Sequence, residues 1–515
     1  MKIKKIGGEM EKRMIKFIIF LLIVFSTGLL LAQTNVEGDV SGTWITANSP
    51  YNVIGDLEVP NGQTLTIEPG VSVEFMDYYS FTIYGKLVAI GTENDSILFT
   101  SGQMTPNPDD WEYIKFEDSS DDNSIISYAK IEYANYGIWC DSSSPSISNN
   151  TISNNYYYGI LCKYSSSPSI SNNTISNNNY YGISCSYYSS PSISNNTISN
   201  NNYSGIYCYY SSSPSISNNT ISNNSSRGIY CYSSSPSISN NTISNNSSRG
   251  IYCSHSSPSI SNNTISNNNY GIYCYYSSSS ISNNTISNNN DDGILCEYYS
   301  SPSILNNILY DNSTGIYAES SPASLEYNLF YLNNTAGSGN LPSYFGNIIT
   351  VNANGDSCDT YCNLFMNPLF VDSLDFHLTA SSPCIDAGDP TSPLDPDSTF
   401  ADMGAFYFDQ LNEIYDNEIQ LVGFHLSNFP NPFNPTTTIS YQLPENSEVE
   451  LAIYNLKGQK VKQLVSNSAG QLSAGQHSVV WNGKDDNGKS VSSGIYFYKL
   501  KTGNYEQTRK MILIK

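Results

Sequence analysis

The sequence predicts an all-β chain, a parallel β-helix solenoid followed by a small C-terminal immunoglobulin-like β-sandwich, and three observations carry that prediction. From Cys140 to Tyr299 one phrase recurs: Gly-Ile-x-Cys, a Ser/Tyr-rich stretch, then PSISNNTISNN. Its prolines stand at Pro145, Pro168, Pro191, Pro214, Pro236 and Pro258, with Ser279 substituting once before Pro302; a period of about 22 residues is that of a solenoid. Ser, Asn, Thr, Gly and Pro dominate the repeat and no apolar stripe recurs at helical spacing, which excludes a helical array. After Asp416 the repeat stops and alternating apolar stretches begin, the mark of a separate sandwich.

Within one copy, Ile160 and Cys162 lie two apart and share one face of a short strand, while Ile170 and Ile175 anchor two more. Three short strands per copy make one rung, and each strand pairs with its equivalent a copy later, about 4.8 Å along the axis. Repeated letters therefore become columns. Isoleucines at 147, 170, 193, 216, 238, 260, 281 and 304, and at 152, 175, 198, 221, 243, 265, 286 and 308, are expected inside. The Asn-Asn pairs are expected at bends, where Asn accepts a left-handed backbone and its amide can bond to its copy on the next rung.

The flanking sequence has the same character. Gly62-Gln-Thr-Leu-Thr-Ile-Glu-Pro-Gly70, then Val71, Val73, Phe75 and Tyr84 to Gly91, read as less regular entry rungs, with Asn367 to Asp372, Phe376 to Thr379, Ser382 to Pro390 and Asp402 to Ala405 as a closing segment. On these motifs residues 35 to 410 resemble the right-handed parallel β-helix proteins, which include pectate lyases and polygalacturonases. That resemblance implies a secreted protein that meets carbohydrate.

The predicted organisation is 1–32 signal peptide, 33–139 irregular N-terminal rungs, 140–318 regular rungs, 319–410 closing rungs and cap, 411–425 acidic linker and 426–515 C-terminal domain. Lys12, Arg13 and Lys16 precede the apolar run Phe17 to Leu31, and Ala32 offers a cleavage point, so the segment reads as a secretory signal that leaves no transmembrane anchor once removed. A net charge of −23 argues against nucleic acid as a partner.

Eight of the eleven cysteines, Cys140, Cys162, Cys185, Cys208, Cys231, Cys253, Cys274 and Cys296, occupy one position of the rung. Stacked neighbours come within disulfide range, but their Cβ vectors point inward together, which favours buried thiols that fill space. Cys358, Cys362 and Cys384 lie outside the column, and one pair of them could be bridged.

The C-terminal stretch carries Pro430, Asn431, Pro432, Phe433, Asn434 and Pro435, then Tyr454 to Gly458, Trp481, Asn482, Gly483, Gly494 to Tyr498 and the ending that includes Lys510 and Lys515. In this order the motifs resemble the type A C-terminal sorting domain of the type IX secretion system of Bacteroidota. The resemblance implies recognition by that secretion machinery and a secreted or cell-surface destination. It implies no catalysis by this module.

Candidate sites follow from stacking. The residue between Ile and Cys faces outward by alternation, which puts Tyr207, Tyr230, Tyr252 and Tyr273 in an exposed column; Tyr164, Tyr187, Tyr210, His255, Tyr276 and Tyr298 form a second set two residues past the cysteine. Aromatic ladders stack on sugar rings, so extracellular polysaccharide or host glycan is an expected ligand, while tyrosines that merely stack on one another would look the same. The oxygen-rich closing loop, with Asp386, Asp389, Asp395, Asp397 and Asp402, offers calcium ligands, the alternative use being turn capping. No catalytic group assembles in the regular rungs, where Arg227 and Arg249 stack without a carboxylate beside them. The expected role is therefore structural, adhesive or glycan-binding without catalysis; a polysaccharide lyase or glycosidase acting on acidic polysaccharide around Asp109 to Asp122 is the alternative.

Overall fold

The computed structural model describes residues 33–321, 323–373, 375–410, 425–431, 433–443, 446–466, 471–473, 475–503 and 506–513. The signal segment and most of the acidic linker lie outside these. The chain divides into two compact units, one ending at Phe408 and one beginning at Asp409.

The first unit is a coil of parallel strands, three per turn through the regular region, as in Ser146–Ser148, Thr151–Ser153 and Tyr158–Lys163. Each pairs in parallel with its equivalent one turn on: Ile147 with Ile170, Ile152 with Ile175 and Cys140 with Cys162. The interior holds the expected columns of Ile and Cys, which are fully buried through all the regular turns. Each buried Ile side chain contributes roughly 1.5–3 kcal/mol, so the coil gains stability turn by turn. In the entry turns larger rings fill the same space, with Phe75 stacked on Trp111 at 4.1 Å and Trp44 on Tyr51 at 4.5 Å.

The two members of each Asn-Asn pair divide the work. The first takes the left-handed conformation, φ 57° at Asn172, Asn195 and Asn218, which Asn tolerates better than most residues. The second is buried and carries the ladder: Asn173 Nδ2 donates to Asn196 Oδ1 at 3.0 Å and to Ile147 O at 2.9 Å, and the Asn173 main-chain N–H donates to the same Asn196 Oδ1 at 2.9 Å. A parallel column runs through Asn155, Asn178, Asn201 and Asn224, and at the third corner serine main-chain N–H groups donate to the hydroxyl of the next serine, Ser189 to Ser212 and Ser212 to Ser234. Each of the three corners thus carries a side-chain ladder that partners buried main-chain groups.

The repeat glycines act by size. A Cβ on Gly228 would lie 2.6 Å from Gly250 O and 2.6 Å from Ile243 Cγ2, and the same clash recurs at Gly205 and Gly250.

One expected column member is displaced. Ile308 pairs with the outward Thr285, and Leu309 takes the interior place beside Ile286. Ile308 is nevertheless fully buried, because the returning chain covers it: Leu329, Leu364, Leu378, Cys384 and Met403 pack with it in a small second core. Cys358, Cys362 and Cys384 are free thiols in this cap, and the eight column cysteines are free and buried.

The second unit holds antiparallel sheets of three and four strands. Its strands are His425–Phe429, Thr437–Leu443, Glu450–Asn455, Lys460–Val465, Gly475–Trp481, Gly494–Lys501 and Glu506–Leu513. Phe433, Trp481, Tyr498 and Leu513 centre its core.

Candidate functional site

The strand that carries Gly-Ile-x-Cys builds the most distinctive outer face. Its parallel register places Tyr207, Tyr230, Tyr252 and Tyr273 in one line, with ring centroids 5.0 Å apart at each of the three steps. Tyr181 extends the line below, 4.7 Å from Tyr207. The column is less open than alternation alone implies. Tyr207, Tyr230 and Tyr252 are half-buried and Tyr273 is only 8% exposed, because neighbouring rings cover its faces and its hydroxyl donates to Glu297. Burial pushes the Tyr230 phenol up, with Tyr252 adding to it, so the hydroxyl remains a donor at any physiological pH.

The more accessible rings sit at the adjoining bend. Tyr164, Tyr210, Tyr276 and Tyr298 are between 44% and 47% exposed, each in the left-handed conformation with φ between 47° and 54°. Tyr164 stacks on Tyr187 at 5.2 Å and His255 on Tyr276 at 5.1 Å. Together the two columns make a continuous aromatic strip several turns long.

Cations are set into this strip. Lys163 Nζ lies 4.7 Å from the Tyr164 ring centre, Arg227 Cζ 4.5 Å from Tyr230 and Arg249 Cζ 4.7 Å from Tyr273. At the lower end Lys115 pairs with Glu117 at 2.6 Å and Asp141 at 3.1 Å under Trp139.

The closing-loop aspartates serve the main chain. Asp389 Oδ1 accepts from Thr391 N at 2.9 Å, Asp395 Oδ2 from Asp402 N at 2.8 Å and Asp397 Oδ1 from Thr399 N at 3.2 Å, while the Asp386 N–H donates to Asp402 Oδ1 at 2.7 Å. Among the described residues no group of three or more His, Cys, Asp or Glu side chains is arranged to hold a metal ion. Asp402 buries its carboxyl at the centre of this loop.

In the entry turns around Asp109 to Asp122, burial and then Asp56 raise the Glu112 carboxyl, and burial and then Asp109 push the Tyr78 phenol up to about 12. Asp121 and Asp122 instead cap turns, accepting from Asn123 N at 2.8 Å and Ser144 N at 2.8 Å.

In the second unit Asn431 Oδ1 accepts from Ile512 N at 2.9 Å, Phe433 N donates to Ile512 O at 3.0 Å, and Trp481 Nε1 donates to Lys484 O at 2.9 Å. Gly458, Gly483 and Gly494 have positive φ. Asn434, Pro435 and Asn482 are exposed, and Lys510 pairs with Phe497 across the last two strands. Pro432 and Lys515 lie outside the described residues.

Comparison with known proteins agrees with this architecture. The family described as right handed beta helix region matches residues 114–259 and 238–365. The solenoid is a right-handed β-helix. The FlgD Ig-like domain family matches residues 431–505, so the second unit is immunoglobulin-like. Among curated proteins, Protein bark beetle of Drosophila melanogaster is 42% identical over 71 residues, which span 13% of this chain and 2% of that protein. Among solved structures, the A-module of the Azotobacter vinelandii mannuronan C-5 epimerase AlgE4 aligns with 60% of this chain and 91% of its own at 16% identity and TM-score 0.38. Pectate lyase Pel9A aligns with 68% and 88% at 14% identity and TM-score 0.36. PorZ, a bacterial surface component of the type IX secretion system of Porphyromonas gingivalis, aligns with 19% and 12% at 20% identity and TM-score 0.14. Among the described residues no helix is long and apolar enough to cross a membrane.

Proposed function

We propose that this is an exported, non-catalytic β-helix protein whose aromatic strip binds an extended glycan outside the cell, in an adhesive or structural role. The observation that carries this reading is the tyrosine column, four rings at 5.0 Å steps beside a second, more open column. Flat rings in a row offer a sugar chain successive stacking faces, and their hydroxyls offer hydrogen bonds. Residues 426–515 act in this reading as a type IX sorting domain, on the motifs from Pro430 to Lys510, and deliver the protein to the bacterial surface or medium. Calcium at Asp386, Asp389, Asp395 and Asp397 is not needed for it.

Retention on a glycan array by the mature protein tests the binding role: it should fall on Tyr230→Ala with Tyr252→Ala, and retention that is unchanged removes the strip as the platform. Deleting residues 426–515 should strand the protein in the periplasm of its host; export that continues refutes the sorting role. A second reading, cleavage of acidic polysaccharide in the entry turns, is favoured by the raised Glu112 carboxyl next to Asp56 and by Tyr78 beside Asp109. New unsaturated or reducing ends after incubation with pectin or alginate would establish it.

A further inference from the structure

From residue 142 to residue 290 the sequence contains no Asp or Glu, and its only Lys or Arg residues are Lys163, Arg227 and Arg249. A chain of net charge −23 thus carries a stretch that is locally positive, and all three cations fall on the aromatic strip. None of them forms a salt bridge among the described residues.

Arg227 and Arg249 are the unusual pair. Ile229 pairs with Ile251, so the two arginines occupy the same position on successive turns, about 4.8 Å apart along the axis. Tyrosines frame each guanidinium: Tyr203, Tyr230 and Tyr252 lie 5.5, 4.5 and 5.1 Å from Arg227 Cζ. Tyr252, Tyr270 and Tyr273 lie 4.8, 5.7 and 4.7 Å from Arg249 Cζ. Ring faces hold the planar cations without using their N–H edges. The hydrogen bonds made by these groups are Arg227 Nη1 to Ser226 Oγ at 3.4 Å and Arg249 Nη1 to Ser248 Oγ at 3.1 Å. Both Nε groups are buried and have no hydrogen-bond partner.

Two like charges one turn apart repel, and a buried guanidinium donor without an acceptor is costly. An oxyanion set between the outward Nη edges of the two guanidinium groups removes the repulsion and neutralises the partly buried charge, and the phenols around it exclude water and strengthen the contact. We propose that Arg227 and Arg249 are the anion subsite of the aromatic strip and take the charged group of an acidic polysaccharide, a uronate carboxylate or a sulfate ester, while the flanking tyrosines stack on its sugar rings. This inference rests on the glycan-binding reading and adds the ligand's charge to it.

The test is affinity electrophoresis of the mature full-length protein through gels that contain alginate, dextran sulfate or uncharged dextran. The anionic polymers should retard the protein, and the one that retards it more tells carboxylate from sulfate. Arg227→Gln with Arg249→Gln should weaken that interaction about tenfold or more, as expected for two charge-assisted contacts, and should leave any retardation by dextran unchanged. Added salt should weaken binding to the wild type more than to the variant. If the Gln pair fails to fold, judged by its circular dichroism melt, Arg227→Lys with Arg249→Lys takes its place and should still lose about threefold, because an ammonium cannot fork. Undiminished binding of anionic polymer in the folded variant overturns the inference, as does retardation by dextran equal to that by the charged polymers; in both cases the glycan-binding reading stands. If none of the three polymers retards the protein, the subsite fails, and retention of other glycans on the array then decides the broader reading separately.

Discussion

Asn219 shows how much one repeated side chain carries. Its Nδ2 donates to Ile193 O, Ser217 O and Asn241 Oδ1, each at 2.9 Å, and its Oδ1 accepts from the Asn196 main-chain N–H at 2.9 Å. Asn219→Ala strips partners from buried groups on three successive turns. At roughly 1–3 kcal/mol for a buried group left unsatisfied, the variant should lose about 3 kcal/mol or more in denaturant unfolding of the solenoid, whereas Asn218→Ala, at the exposed left-handed position next to it, should cost about 1–2 kcal/mol through backbone strain. Equal losses at the two positions would mean that the ladder adds little. Gly228→Ala tests the opposite error. The added Cβ meets main-chain oxygen 2.6 Å away on the next turn, contact that a side-chain rotation cannot relieve, so a loss of about 1–3 kcal/mol is expected from overpacking alone. The glycine was legible in the sequence only as a repeated letter. Its use is close approach between turns, a property of the stacked coil and not of one rung.

At the scale of the strand, the cysteine column gives the sharpest prediction. All eight column thiols are fully buried, so a reagent cannot reach them in the folded coil and their apolar surroundings disfavour the thiolate. In the native protein a thiol reagent should label Cys362, which is partly exposed, and should reach the remaining ten only on unfolding; mass spectrometry of the labelled chain counts them, and rapid native labelling of Cys231 would contradict the packing. These columns were legible because near-identical copies leave one way to stack them. The burial of Tyr273 was not, since alternation states which way a side chain points and not what its neighbours lay over it; here Tyr252, Arg249 and Glu297 do so. Ile308 fails for a related reason: the interior apolar position and its outward neighbour are both filled by large aliphatics in Ile308-Leu309, and only the returning cap, distant in sequence, explains why an outward residue is apolar. The main chain of Asp402 and Gly404 reaches back to this face, Asn283 Nδ2 donating to Asp402 O at 3.2 Å and Gly404 N to Asn306 O at 2.8 Å.

For the solenoid as a whole, stability is a sum over turns and their interfaces, and the ends decide where opening begins. The closing end is held by a loop whose acids titrate in an unusual range. Burial pushes the Asp402 carboxyl up to about 7 and the Asp395 carboxyl up to about 6, with Asp386 adding to both. An unfolded Asp ionises near pH 3.9, so between that value and about 6–7 the folded loop holds protons that the open loop releases. Stability from these groups is therefore fully present below about pH 4 and is lost as pH rises through 6 and 7. The loop's own main-chain donors, Asp386 N–H and Phe408 N–H on Asp402 at 2.7 and 2.6 Å, limit the effect without reversing it, because burial of the charge outweighs them. Amide exchange in residues 383–408 should accordingly slow from pH 8 to pH 5 by more than the intrinsic change in exchange chemistry, while the central turns around Ile216 and Ile238 change only by the intrinsic factor. Asp402→Asn together with Asp395→Asn, which fix both neutral forms, should abolish the excess at the closing end. Excess protection that persists in that variant, or appears equally in the central turns, would place the pH dependence elsewhere in the molecule.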